Sequence, residues 1–139
     1  RIPTSNINEL MTGSFQEIID DPIFDAANGQ TKHERKNIAR VLLCSGKFYH
    51  ELSARRDELA RFDTAIVRVE QFYPFNTDLA KQILSRYPGK AELFWCQEEP
   101  RNAGAFLFMD DTLRTHLGVK KLTYIGRDAS GVHVWGRLH

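Results

Sequence analysis

The sequence predicts an α/β fold: a three-layer arrangement with a mainly parallel sheet, helices on both faces, and an extended arm at the N-terminal end. Two observations predict it. From Ile38 onward, short apolar runs alternate with stretches whose apolar residues recur every three or four positions. Each pair of successive runs is separated by enough chain to hold a helix, which means right-handed crossovers between parallel strands. No internal repeat or low-complexity segment competes with this reading.

The elements follow in order. Ala39 to Cys44 reads as a buried strand, and Lys47 to Ala60 as a helix with Phe48, Tyr49, Leu52, Arg56 and Leu59 on one stripe. Thr64 to Val69 is the second strand. Thr77 to Tyr87 is the second helix, carrying Leu79, Ile83, Leu84 and Tyr87. Ala91 to Cys96 is the third strand, and Asn102 to Leu117 the third helix, with Phe106, Met109, Leu113 and Leu117 inward. Leu122 to Ile125 is the fourth strand. The tail from Gly126 to His139 is polar and aromatic, with a further short strand expected around Val132 to Trp135.

Residues 1–37 differ from the rest, so the expected division is 1–37 as arm and surface loop and 38–139 as the α/β domain. The arm holds Ile7, Leu10, Met11, Phe15 and Ile18, which need a surface to pack against. Its apolar segment stops at Asp20-Asp21-Pro22, and Asn28 to Asn37 reads as a mobile surface loop. The first residue is Arg1 and the tail stops abruptly, so the chain is expected to be a piece of something longer.

Composition narrows the function classes. With 139 residues, 42% hydrophobic, the chain has the material for one domain with a proper core. Nineteen Lys and Arg against eighteen Asp and Glu give a net charge of +1, which makes no electrostatic case for nucleic acid or an anionic membrane. No stretch approaches the roughly 20 apolar residues of a membrane span, and no signal peptide is evident. Two cysteines, Cys44 and Cys96, make neither a disulfide framework nor a four-ligand zinc site. Reduced thiols fit a bacterial cytoplasm or a mitochondrial matrix.

In an open parallel sheet, ligands sit beyond the carboxyl ends of the strands. Here those ends deliver Ser45-Gly46-Lys47, Glu70-Gln71, Gln97 to Asn102, and Gly126-Arg127 to one polar edge. That edge suits a ligand or a contact with another domain. Ser45 reads as a helix cap, and Lys47 as an open question for a phosphate or carboxylate. Arg68 interrupts an apolar strand and is expected to form a structural ion pair with Glu70, Glu98 or Glu99. Glu98 and Glu99 are adjacent on an extended segment and point apart, so a structural loop with Arg101 and Asn102 is expected rather than an acid–base pair. Cys44 and Cys96 end apolar strands and do not look nucleophilic. His33, His50, His116, His133 and His139 are scattered without ligand spacing. Phe94, Trp95, Phe106 and Phe108 read as core. No catalytic residue, no metal site and no dinucleotide fingerprint emerges.

Three strings, taken together, carry a family resemblance. They are Val41-Leu-Leu-Cys-Ser-Gly-Lys-Phe-Tyr49, Ala65-Ile-Val-Arg-Val-Glu-Gln-Phe-Tyr-Pro-Phe75 and Trp95-Cys-Gln-Glu-Glu-Pro-Arg-Asn-Ala-Gly-Ala-Phe106. In order and spacing they resemble the C-terminal domain of the decarboxylating, thiamine diphosphate-dependent component of 2-oxoglutarate dehydrogenase. Gly13 to Gln16 and Asp20 to Pro22 are similar to the segment that leads into that domain, and Gly126-Arg127 with Ala129-Ser130 to its end. Family members usually carry tryptophan where Phe106 stands, and the run from Gly131 to Gly136 departs from their pattern.

The resemblance implies a transketolase C-terminal-like fold with one antiparallel edge strand. It implies a parent enzyme that uses thiamine diphosphate and magnesium to decarboxylate 2-oxoglutarate and succinylate a lipoyl group in the tricarboxylic acid cycle. The family's thiamine-binding motif is absent from this chain, so no cofactor and no catalysis are expected of it alone. The implied partners are the remaining domains of the parent, a homodimer partner and the dihydrolipoyl succinyltransferase component. In some family members the domain also helps to bind an acetyl-CoA or nucleotide effector such as AMP. Lys47, Arg68, Gln71 and Arg127 are the effector-binding candidates, chosen by strand-end position and charge. The alternative is a free-standing binding module for such a phosphate-bearing effector.

Overall fold

The structure, a computed structural model, describes residues 16–25, 33–126 and 134–138. Five strands form one sheet: β1 (Ile18–Ile19), β2 (Arg40–Ser45), β3 (Thr64–Val69), β4 (Glu92–Gln97) and β5 (Leu122–Gly126), in the spatial order β1-β3-β2-β4-β5. β2, β3, β4 and β5 run parallel, and β1 closes one edge antiparallel to β3 with Ile18 opposite Val69. The α/β fold class expected from the alternation is the one observed. The expected arm thus contributes an edge strand; Ile7, Leu10, Met11 and Phe15 lie outside the described residues.

Alternation along each strand sorts side chains onto two faces. On one face Val41, Leu43, Val67 and Trp95 meet Ile83 of α2 (Thr77–Leu84) and Phe106, Met109 and Leu113 of α3 (Phe106–Leu117). On the other, Leu42, Ile66, Phe94 and Cys96 meet Phe48, Tyr49 and Leu52 of α1 (Gly46–Leu59) and Trp135 and Leu138 around α4 (Val134–Arg137). Both faces of a parallel sheet must be covered, which is why its strands read as continuous apolar runs.

Three expectations are corrected. The tail forms a helical turn at Val134–Arg137, so Val134 and Trp135 are helical where a strand from Val132 to Trp135 was expected; Val132 and His133 lie outside the described residues. Trp135 and Leu138, three residues apart, both bury against the sheet, and that spacing suits a helix instead of an alternating strand. Leu59, expected on the inward stripe of α1, is 41% exposed because the helix ends there, with Ala60 in the left-handed region at φ 53°. Of the stretch read as a mobile loop, residues 28–32 lie outside the described residues, and the end of it is tied down. Arg35, in the 3-10 turn Arg35–Asn37, donates to Asp20 at 2.9 Å and lies 4.7 Å above the Phe24 ring.

Sequence reading missed the polar anchor of the edge strand. Asp21 is buried and accepts from both terminal nitrogens of Arg56, from the Ile66 amide at 2.8 Å and from the Ile23 amide at 3.2 Å. Arg56 also donates to the Thr64 carbonyl at 3.2 Å and to Asp57 at 3.1 Å. Burial by itself lowers the guanidinium's pKa, but Asp21 and Asp57 outweigh it and hold the cation charged. Next to it, Asp20 accepts from Arg35, Arg86 and the Tyr87 hydroxyl. Burial, and then the Asp20 charge, push the Tyr87 phenol well up. A signal for Arg56 was present: it stands on the apolar stripe of its helix, where a cation needs a buried partner.

Candidate functional site

The carboxyl edge of the sheet is organised by Gln97, the last residue of β4. Its side chain is buried, with Oε1 accepting from the Trp95 indole at 2.8 Å and from the amides of Ala105 and Phe106 at 3.1 and 3.0 Å. It thereby satisfies free N–H groups at the start of α3, where Ala105 has no capping side chain of its own. Its Nε2 donates to the carbonyls of Glu99, Pro100 and Ala103 at 3.3, 2.9 and 2.7 Å. One amide side chain therefore shapes the whole 98–105 loop. The Tyr124 hydroxyl adds a bond to the Glu99 carbonyl at 2.7 Å. Gly104 sits at φ +67°, and a Cβ there would lie 3.0 Å from Gln97 Oε1.

Two clefts open on this edge and share Ser45, Gln97 and Glu99. The larger, about 320 Å³, is also lined by Lys47, Phe48 and Glu98. The smaller, about 270 Å³, is also lined by Phe72, Tyr73, Trp95, Gly104 and Ala105. Gln97, which the sequence does not mark as a ligand-binding candidate, is thus the residue that holds the site together. Its position at a strand end just before a helix start is the available signal.

Three of the four effector candidates lie within the described residues, and each has its own surroundings. Lys47 is exposed and lines the larger cleft. Gln71 turns away and donates to the Pro74 carbonyl at 3.0 Å. Arg127 lies outside the described residues. Arg68 corrects the expected ion pair: among the described residues it has no carboxylate partner within 4 Å. Its guanidinium lies 4.6 Å above the Tyr49 ring instead, with Nε buried and unbonded. The ring face supplies the electrostatic partner that a carboxylate was expected to supply.

The start of α1 also differs from expectation. Ser45 is the N-cap residue, yet its side chain makes no capping hydrogen bond. The Glu70 carboxylate lies over Gly46, where a Cβ would run into it. A carboxylate of the protein itself already faces the positive end of this helix.

Of the loop residues, Glu98, Glu99, Arg101 and Asn102 are exposed, and Arg101 lies 4.9 Å from the Phe106 ring centre. Phe94, Trp95 and Phe106 are buried as expected, whereas Phe108 is half-buried. His50 and His116 are exposed, and His33 stacks on Phe62 at 4.3 Å. Cys44 and Cys96 are neighbours in the parallel register of β2 and β4, both fully buried. Burial pushes the Cys44 thiol up to about 12 and Cys96 well above its ordinary value. Neither is a thiolate near neutral pH.

Among the described residues, no group of three or more His, Cys, Asp or Glu side chains is gathered to hold a metal ion. The described residues do not fit a bound magnesium–thiamine diphosphate group. Among them, no helix is long and apolar enough to cross a membrane.

A family model described as 2-oxoglutarate dehydrogenase C-terminal matches residues 4–139. The chain belongs to that family. The 2-oxoglutarate dehydrogenase E1 component of Cupriavidus necator is 37% identical over 130 residues, covering 91% of this chain and 12% of that protein. The E1 component of Coxiella burnetii is 36% identical over 132 residues, covering 93% of this chain and 13% of that protein. A multifunctional 2-oxoglutarate metabolism enzyme of a Mycobacterium species is 36% identical over 124 residues, covering 86% and 10%. The chain spans about an eighth of the length of the curated relatives it matches. Within the 2-oxoglutarate dehydrogenase C-terminal family, the five-stranded sheet with its antiparallel edge is this member's fold.

Proposed function

We propose that this chain is the non-catalytic C-terminal domain of a thiamine diphosphate-dependent 2-oxoglutarate dehydrogenase. In this reading residues 1–37 lead into the domain and residues 38–139 form it. Its work is to complete the homodimer and to shape the approach to an active site built elsewhere in the parent. There 2-oxoglutarate is decarboxylated with thiamine diphosphate and magnesium, and the succinyl group passes to the lipoyl arm of the dihydrolipoyl succinyltransferase component. The observation that carries this reading is the match of nearly the whole chain to a family model described as 2-oxoglutarate dehydrogenase C-terminal, together with relatives about eight times as long. The rigid carboxyl edge built on Gln97 supports it, because ligands and neighbouring domains meet open parallel sheets there.

The test compares the full parent enzyme with a parent lacking these 139 residues. We expect the shortened parent to lose both the dimer in sedimentation and CO2 release from 2-oxoglutarate. A shortened parent that stays dimeric and fully active would overturn the reading, as would CO2 release by this chain alone.

A second reading rests on the seat of Lys47 in the larger cleft: binding of a phosphate-bearing effector such as acetyl-CoA or AMP, with Arg68, Gln71 and Arg127 as further candidates. Calorimetry on the parent enzyme tests it. Binding that Lys47→Ala weakens at least tenfold is expected, and no heat at millimolar ligand removes the proposal.

A further inference from the structure

Phe72, Tyr73, Phe75 and Phe108 form an aromatic cluster beside the smaller cleft. Phe108 is its hub, with ring centres 6.4 Å from Phe72, 5.1 Å from Tyr73 and 6.1 Å from Phe75. Phe72 continues inward to the buried Trp95 at 5.9 Å. The cluster is thus rooted in the core, yet it ends in an exposed ring: Tyr73 is 78% exposed, the most exposed large apolar side chain described. Tyr73, Phe72 and Glu99 all line the 270 Å³ cleft.

The rim of this patch carries uncompensated charge. Glu98 and Glu99 are exposed, and among the described residues neither carboxylate forms an ion pair. Glu99 is nevertheless well placed, because its carbonyl is held by Gln97 and Tyr124. A rigid aromatic anchor, a preformed cleft and a charged rim are the parts of an interface hot spot. Phe72, Phe75 and Phe108 are half-buried against the core, so the cluster offers one exposed ring, Tyr73, on a packed aromatic base next to the cleft.

We infer that Tyr73, Phe72 and the cleft beside them seat a segment of the parent chain outside these 139 residues, one that presents an apolar side chain with a Lys or Arg beside it. The aromatic side chains take the apolar side chain, and Glu99, which lines the same cleft, takes the cation. This rests on the proposed reading of the chain as one domain of a longer enzyme. The relatives supply the room for such an occupant, since about seven eighths of their length lies outside the match.

The experiment replaces Tyr73 by the photoreactive p-benzoylphenylalanine in the full parent enzyme, irradiates it, and identifies the crosslinked peptide by mass spectrometry. Tyr73 is exposed, so the replacement leaves the core packing alone. The expected product is an intrachain or intersubunit link to a parent segment outside residues 1–139, with a Lys or Arg in the linked peptide and a yield that falls severalfold in Glu99→Lys. A link to residues 1–139 of a second copy overturns the inference, and so does the absence of any linked peptide. A link whose yield is indifferent to Glu99→Lys overturns the ionic part. The two readings fail separately. A natural polypeptide of only 16.0 kDa ends the multidomain reading. A longer polypeptide without the link ends this inference alone.

Discussion

Asp21 and Arg56, thirty-five residues apart, meet in the core as a two-pronged ion pair that fastens the edge strand to the helix on the sheet's face. Both side chains are almost entirely shielded from water, at 0% and 1% exposure. The backbone amide of Ile66 completes the Asp21 carboxylate, so the pair also fixes the middle of β3.

Asp21→Asn keeps the shape and removes the charge, leaving the buried Arg56 cation only Asp57, whose side chain is largely exposed, as a counterion. The expected loss is about 3–5 kcal/mol of stability, the usual consequence of breaking one half of a buried pair. Urea unfolding followed by circular dichroism checks it. The double substitution Asp21→Asn with Arg56→Met should recover much of that loss, since no unpaired charge then remains. If the double variant is as unstable as the single one, the ionic account of this contact is wrong.

Gln97→Met keeps the volume and deletes every hydrogen bond of the amide. The Trp95 indole and the first amides of α3 then lose their acceptor. A cost of about 3 kcal/mol is expected from leaving one or two of those groups buried without a partner. Hydrogen exchange at Ala105 and Phe106 should accelerate more than exchange in β2. Uniform acceleration would mean that Gln97 supports the fold as a whole and not this loop in particular.

Two left-handed glycines separate conformational strain from crowding. Gly118 sits at φ +69° at the end of α3, and a Cβ added there would meet nothing within 4 Å, so Gly118→Ala should cost about 1 kcal/mol for conformation alone. Gly104 has nearly the same φ, but its Cβ would press on Gln97 and Glu99. Gly104→Ala should cost more than Gly118→Ala, and paired thermal melts measure the difference. Equal costs would show that Gln97 and Glu99 yield freely.

Cys44 and Cys96 should resist iodoacetamide at neutral pH in the native protein and react on unfolding. Cys44 is pushed up to about 12 by burial, above its ordinary value of 9.0. Between those values the unfolded chain releases its proton while the folded chain keeps it. The unfolded state then binds fewer protons, so stability falls as pH rises. The contribution is intact below about pH 9 and declines above it. Cys44→Ala should flatten that alkaline decline in a series of melts from pH 8 to pH 11, and an unchanged slope would assign it to other groups.

Much of the fold is legible because a parallel sheet covered on both faces writes its strands as continuous apolar runs. Thr64–Val69 is legible to the residue, and the other strands and helices with shifted ends. Those ends depend on caps, and caps are tertiary here. The start of α3 is four residues later than its periodicity suggests, because the Gln97 side chain folds 98–105 into a loop and takes the amides that would have begun the helix.

The sequence by itself determined the α/β class, the apolar strands, the family and the polar character of the carboxyl edge. Local alternation and spacing carry that information, and they do not depend on what the chain later touches. Only the tertiary structure decided how polar groups are paired: Asp21 with Arg56, Arg68 with the Tyr49 ring, and Gln97 with five backbone groups and an indole. Such partners lie far apart in sequence or are reached by a turn of a single side chain. A charged or amide group must satisfy itself wherever burial leaves it, and burial is settled only when the layers close.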